Sequence, residues 1–449
     1  ILPPFPSSGD RGFAPLTYLE IEPKFGTWDD IRRIGKKYVV LLDLMVNHIS
    51  AKSEYFQDFL KKGNNSRFAD VFLPLEKIWP DGEPSQEEIE KIFLRREEPF
   101  SSFKIKETGK TEKMWTTFGK TNPSEQIDID INSKITRQLF IEFLENFNRN
   151  NVKMVRLDAV GYVVKKPGTS CFFVEPEIFH FLQWIAEVAK SLDIELLPEV
   201  HSTFSIQKKL SENNYWIYDF ILPYIILETM VTSKSGKLYE YLKDRPFKQF
   251  TMLDCHDGIP LKPDLNGIYE SENAKKVVDI CLERGGNQSL IYSPKHRDAD
   301  GFDVHQIRGT YYSLLGCDDN TYLAARAIQF FVPGIPQVYY VGLLAGKNDV
   351  DSMKNNKDGR VINRHNYNLE EIDLDIRNEV VQRLLKLIRF RNTYSAFNGD
   401  FSQIETEDDK ITLRWDKDEK RCILKIDLTD KSSIIEFVNE KGKQEQYIV

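Results

Sequence analysis

The sequence predicts an α/β fold: a (β/α)8 barrel of the TIM type with two inserted subdomains on one face and a small C-terminal β-domain. Three observations predict it. Short β-branched runs alternate with amphipathic stretches along most of the 449 residues. The polar residues of these runs collect at their carboxyl ends. Two of the gaps between runs are too long for ordinary loops.

Taken in order, the runs are KYVVLLDLMVNH (37–48), VKMVRLDAVGY (152–162), IELLPEVHS (194–202), WIYDFIL (216–222), FTMLDCHDG (250–258) and GIPQVYYVG (334–342). Between them, TRQLFIEFLENFNRN (136–150) and EIFHFLQWIAEVAKSL (177–192) space their apolar residues by threes and fours, which predicts helices. Strand and helix in alternation imply parallel strands covered on both faces. The first long gap, 50–135, is charge-rich and includes IFLRREEPFSSFK. The second, 258–325, contains YSPKHRDADGFDVHQIR (292–308), where cations and anions mix without helical or strand period. After LLKLIRFRNTYSAF (384–397) the texture changes to KITLRWD, RCILKIDL and SIIEFVN, alternating strands of a β-domain. The expected division is a barrel of 1–49, 136–257 and 326–395, subdomains 50–135 and 258–325, and a β-domain 396–449.

Composition narrows the function class. Hydrophobic residues make up 41%, charged residues 29%, and the net charge is −8. An acidic soluble chain argues against a nucleic-acid partner, whose phosphates favour a basic face. No apolar run approaches the roughly 18 to 20 residues of a membrane span. The five cysteines are scattered, without paired metal spacing, and their odd number suits a reducing, cytoplasmic compartment. Neither a complete oxygen cage for a metal nor a cofactor-binding signature is recognisable, so none is expected. Quaternary state is not readable from the sequence; monomer and homodimer both stay open.

The strand ends carry the chemistry. Asp43, Asn47 and His48 close the first run, Arg156 and Asp158 the second, Glu199 and His201 the third. Asp219 sits on the fourth, and His256 and Asp257 on the fifth. In a barrel of parallel strands that face is the catalytic one. One such carboxylate is ordinarily a helix cap; repetition over several strands points to a site. Arg156 lies two residues before Asp158, hence on the same strand face, and a guanidinium there keeps a carboxylate ionised as a nucleophile must be. Glu199 follows Leu196, Leu197 and Pro198, an apolar setting that suits a general acid. His256 and Asp257 add a hydrogen-bonding pair. Two carboxyl groups of opposite protonation flanking one bond are the apparatus of glycoside cleavage.

DLMVNH, VRLDAV, LPEVHS and LDCHDG resemble the four ordered signature regions of the α-amylase superfamily. Within it, YDFILPYIILE, HDGI, GTYYSLLG, PGIPQVYYVGLLAGKND and GRVINRHNY are similar to the sucrose phosphorylases, in family order to about residue 400. The resemblance implies a retaining double displacement with no cofactor. Asp158 would be the nucleophile, Glu199 the acid and base, and Asp257 the transition-state stabiliser. His48, Arg156 and His256 would hold the glucosyl ring and charge Asp158. Asp10 and Arg364 would clamp its far hydroxyl, with Phe13 and Tyr162 as apolar platforms. Tyr162 in simple core and Arg364 in a surface ion pair are the plain readings of those two. The same resemblance implies a further strand ahead of ILPPF, so the chain is expected to lack the first barrel strand.

The stretch 292–308 falls in the loop ahead of GTYY. Sucrose-specific relatives carry a tyrosine where this sequence has His305, in the motif Asp303-Val304-His305-Gln306. Arg95 and Arg96 supply a second basic site. A histidine and a guanidinium suit an anionic leaving group. The expected substrates are inorganic phosphate and sucrose 6'-phosphate, as for the sucrose 6'-phosphate phosphorylases, with Gln306 also touching substrate. Plain sucrose or glucosylglycerate phosphorolysis are the alternatives, an α-glucosidase or sucrose hydrolase a more distant one. A non-catalytic amylase-like domain is the far alternative, set against three retained carboxylates.

Overall fold

The β-branched runs pair in parallel, as their burial on both faces requires. The computed structural model describes residues 1–449 except 81, 298–300, 355 and 357. It divides into two compact units, Ile1–Val200 with Tyr292–Arg297, and His201–Ile291 with Asp298–Val449.

In the first unit, strands Val40–Met45, Val152–Asp158 and Glu195–Pro198 form one parallel sheet in that order. Its register sets Asp43 beside Arg156 and Met45 beside Asp158. The helix expected over 136–150 runs Lys134–Arg149; the Ser133 side chain caps it by accepting from the backbone amides of Ile135 and Thr136. Phe140, Phe143, Leu144 and Phe147 form its buried stripe, and Phe147 stacks on Phe5 at 5.6 Å. The second expected helix is Glu177–Ser191.

A small hydrophobic cluster lies in the span 50–135 and takes in Cys171 from beyond it. Leu73, Leu75, Trp79, Ile92 and Trp115 cluster there, with the Trp79 and Trp115 rings stacked at 5.7 Å. Part of the charged stretch 292–308 is fastened to this region. Ser293 Oγ donates to the Ile92 carbonyl at 2.9 Å, and His296 Nε2 to the Lys91 carbonyl at 3.1 Å. Lys295 pairs with Glu90 at 2.6 Å, and the His296 ring stands edge-on to Phe93. Residues 298–300 of that stretch lie outside the described residues.

The second unit holds another parallel sheet, with Gln249–Thr251 between Ile217–Asp219 and Ile335–Pro336. The run 334–342 is not one strand, as expected, but two paired residues followed by a turn of helix, Tyr340–Leu343. Pro336 has no N–H for a ladder, and Gly334 turns the chain at φ +126°, so pairing cannot extend. Asp219 is a structural strand-end carboxylate. Fully buried, it accepts from the backbone amide of Leu222 at the head of helix Leu222–Thr232, from Tyr241 Oη and from Arg245 Nε.

Residues 400–448 form a five-stranded antiparallel meander, Asp400–Ile404, Lys410–Lys417, Lys420–Asp427, Ser433–Val438 and Gln444–Ile448. The three middle strands match the alternating runs read from the sequence. Its inner face shares one hydrophobic core with helices Asp319–Phe331 and Glu379–Thr393, and Trp415 Nε1 donates to the Phe331 carbonyl at 2.6 Å. Among the described residues no helix is long and apolar enough to cross a membrane.

Candidate active site

The parallel register of the first unit brings three carboxylates onto one guanidinium. Arg156, 5% exposed, pairs through Nη1 with Asp43 and, at 3.0 Å, with Asp158, and through Nη2 with Glu199 at 2.5 Å. Asp43 lies directly across the ladder from Arg156. Glu199 N bonds the Leu157 carbonyl, which holds the glutamate at the same strand end. Immediately after Asp158 the chain turns through Ala159, a non-glycine residue at φ +54°.

The expected apolar setting of Glu199 is therefore not what surrounds its head group. Leu196 and Leu197 are buried, but the carboxylate reaches Arg156 and the backbone amide of Ala159.

His48 is buried in the same unit, its Nε2–H donating to the Phe13 carbonyl at 2.9 Å while Asn47 Nδ2 lies 3.4 Å from Nδ1. Burial pulls the His48 pKa below the ordinary imidazole value despite the nearby Asp128 charge, so the ring stays neutral. The Phe13 ring centroid lies 5.7 Å from the Arg156 guanidinium carbon. Tyr162 is buried against Phe118, at 5.0 Å, and Phe172, at 4.8 Å. Asp10, at positive φ, pairs with Lys120 at 3.3 Å.

Arg95 places its guanidinium carbon 5.9 Å from the Phe118 ring centroid. Arg96 is differently placed from the expectation of a phosphate ligand beside Arg95. It donates to the carbonyls of Phe118, at 3.2 Å, and Thr121, at 3.0 Å, strapping the 116–121 loop.

Sequence reasoning missed Lys165. Its ammonium, nearly inaccessible, meets Asp128 Oδ2 at 2.7 Å, Asn47 Oδ1 at 2.9 Å, Thr117 Oγ1 at 3.1 Å and the Tyr162 carbonyl. Nothing in the motif LDAVGYVVKK marks this lysine apart from its neighbour Lys166.

In the second unit Asp257 is the focus. Arg360 Nη1 lies 3.0 Å and Arg364 Nη2 3.2 Å from its Oδ1, while His256 Nε2 is 3.6 Å from Oδ2. Burial alone would raise the Asp257 pKa, but His256, Arg360, Arg364 and His201 overcome it and hold the carboxyl well below the ordinary range. Arg364 Nε also donates to the His256 carbonyl at 2.6 Å, and Asn363 Nδ2 donates to the carbonyls of Cys255 and Asp257. Arg364 is thus an internal clamp, not a surface ion pair. Arg360 was missed. Its signal is the four-residue step to Arg364 in GRVINR, which a single turn of 3-10 helix, Gly359–Asn363, brings to one carboxylate.

His305 lies on strand Val304–Arg308, 6% exposed, its Nδ1–H donating to the Lys262 carbonyl at 2.6 Å. That bond fixes the ring and makes Nε2 a donor towards an anion only when the imidazole is protonated. Gln306, also buried, is a ladder residue, opposite Pro260 on one side and Ser289 on the other.

Residues 2–235 match the family described as alpha amylase, catalytic domain. The chain is 62% identical to the sucrose 6(F)-phosphate phosphorylase of Thermoanaerobacterium thermosaccharolyticum, over all of this chain and 92% of that one. It is 42% identical to the sucrose phosphorylase of Streptococcus mutans, over 91% of this chain and 83% of that one. A crystal structure of sucrose 6F-phosphate phosphorylase from Thermoanaerobacter thermosaccharolyticum superposes with a TM-score of 0.99 at 61% identity, covering 100% of this chain and 91% of the other.

Proposed function

The chain belongs to the sucrose phosphorylases of the α-amylase family, and we propose on that footing that it cleaves sucrose 6'-phosphate with inorganic phosphate. It has that family's (β/α)8-type fold with a C-terminal β-sheet domain. The products are α-glucose 1-phosphate and fructose 6-phosphate. The single observation that carries the reading is 62% identity along the whole chain to an enzyme of that name. The reading draws chemical support from Asp158 and Glu199 sharing the Arg156 guanidinium.

The steps follow from the groups. Asp158, kept anionic beside Arg156, attacks the anomeric carbon of the glucosyl unit. Glu199 gives its proton to the departing fructosyl oxygen, and a covalent glucosyl ester of Asp158 results. Phosphate then attacks the same carbon from the side the fructose left, Glu199 takes its proton, and Asp158 is released. Two inversions give net retention. Asp257, ionised by its cationic neighbours, offsets positive charge on the ring in both transition states. His48, Arg156 and His256 hold the glucosyl ring, Phe13 and Tyr162 pack on it, and Asp10 with Arg364 holds its far end.

His305 and Arg95 read the phosphate on fructose, and Gln306 also touches substrate; Arg96 acts through the loop it straps. The segments 50–135 and 258–325 serve as subdomains carrying these acceptor contacts, alongside a barrel of 1–49, 136–257 and 326–395 and a β-domain 396–449. The enzyme works in the cytoplasm, a setting in which five cysteines outside any disulfide persist, as a monomer or homodimer.

The test is a phosphorolysis assay with sucrose 6'-phosphate, sucrose and glucosylglycerate at matched concentrations. Sucrose 6'-phosphate should be turned over preferentially, and Asp158→Ala should abolish every activity. His305→Tyr should raise KM for the phosphorylated sugar roughly ten- to hundred-fold, the ~1.5–3 kcal/mol of a charged hydrogen bond, while leaving KM for sucrose little changed. Equal turnover of sucrose and its phosphate would remove the specificity assignment.

A further inference from the structure

His365 follows the Asp257 clamp in sequence but turns its side chain to other partners. Its Nδ1 lies 2.7 Å from Asp349 Oδ2 and its Nε2 3.4 Å from Glu371 Oε1. Both carboxylates already belong to helix starts. Asp349 bonds the backbone amide and hydroxyl of Ser352 ahead of helix Val350–Lys354, and its own amide bonds the Ile362 carbonyl. Glu371 closes a capping box with Asn368 at helix Leu369–Asp375. Tyr340 Oη donates to the His365 carbonyl at 2.7 Å, and the Tyr367 ring stands edge-on at 4.7 Å. An imidazole bonded at both nitrogens to carboxylates must carry two protons to satisfy both. It is therefore a charged staple between two helix starts, placed one residue beyond Arg364.

We propose that His365 is a positioning residue for Asp257: as an imidazolium it ties Asp349 to Glu371 and so holds the segment 359–364 with Arg360 and Arg364 on the Asp257 carboxylate. The inference rests on reading Asp257 as the group that stabilises the transition state. Loss of the second proton frees Glu371, loosens the segment, and lowers kcat while leaving the phosphate and fructosyl contacts alone.

The groups facing the ring are Asp349 ahead of one helix, Glu371 in the first turn of another, and Tyr340 and Tyr367. A cavity of about 780 Å³, lined also by Lys347, Asp351 and Asp375, adjoins it and opens the imidazole to water. Partial burial would lower the His365 pKa, but the hydrogen bonds and charges of Asp349 and Glu371 outweigh it and raise the pKa above the ordinary 6.5. A raised folded value means that the staple is complete below the ordinary value and is lost as pH climbs through the raised one. The expected effect is therefore an alkaline limb in kcat.

The experiment follows kcat and KM for sucrose 6'-phosphate phosphorolysis against pH in the wild type, His365→Gln, His365→Lys, Glu371→Gln and Asp257→Asn. We expect His365→Gln to lower kcat about ten-fold at acidic to neutral pH and to erase the alkaline limb, with KM for phosphate changed less than two-fold. His365→Lys, which keeps a charge to higher pH, should restore kcat and move the limb upward. Glu371→Gln, which still caps its helix, should move it downward, and it decides the matter if His365→Gln fails to fold by circular dichroism. An inactive Asp257→Asn with unchanged kcat and limb in the His365 and Glu371 variants overturns the staple alone. An active Asp257→Asn overturns the reading of Asp257 on which it stands.

Discussion

Lys165 shows how much one side chain can hold. Its ammonium and the Asp128 carboxylate are both removed from water and 2.7 Å apart, and Asp128 also accepts from the Thr117 amide and Asn47. Replacing the lysine by methionine keeps the stem and deletes the charge, leaving Asp128 buried and uncompensated. The expected cost is about 3–5 kcal/mol, read as a fall in denaturation midpoint; a change under 1 kcal/mol would show that the pair is dispensable. At this scale the sequence was legible where a side chain acts on its own strand. Arg156 and Asp158 share a face because their spacing is two, and the structure pairs them. It was illegible where the partner is remote. Lys165 meets Asn47 across 118 positions, and Arg96 meets backbone carbonyls of a distant loop, which no side-chain pattern records.

Elements were legible in proportion to their periodicity. The helices Lys134–Arg149 and Glu177–Ser191 fall within two residues of the ranges read from apolar spacing. The run 334–342 misled because β-branched and aromatic residues mark strands only where the backbone can pair. Asp219 misled in the other direction, since a carboxylate at a strand end can serve the next helix. Where a strand begins matters for the site as well. Gly258 separates Asp257 from strand Ile259–Pro260, whose partner is strand Val304–Arg308. A Cβ at Gly258 would stand 2.5 Å from the Ile307 carbonyl oxygen, a ladder atom with no room to retreat. Gly258→Ala should therefore cost about 1–3 kcal/mol of stability. It should also lower kcat, because the displaced backbone carries Asp257. Wild-type midpoint and kcat together would refute the close approach.

The molecule as a whole depends on a β-domain that no catalytic motif announces. The meander 400–448 covers Phe331, Leu384 and Leu387 within one continuous core, and Trp415 is anchored on the Phe331 carbonyl. A chain ending at residue 395 would expose that face. It should be insoluble or lose cooperative unfolding, while recovery of a soluble fragment with the wild-type midpoint would make the domain an ornament. The sequence disclosed the three middle strands by their alternation, and missed Asp400–Ile404 and Gln444–Ile448, which have few buried residues to alternate. The fastening of Ser293 and His296 onto Ile92 and Lys91 has a consequence in time. Those contacts span 201 and 205 positions. At roughly 5–20 residues per second, the ribosome delivers Ser293 about 10–40 s after Ile92. During that interval the arginine-bearing loop at 95–96 emerges without its fastening, and the first unit cannot reach its final form until residues 292–297 have followed.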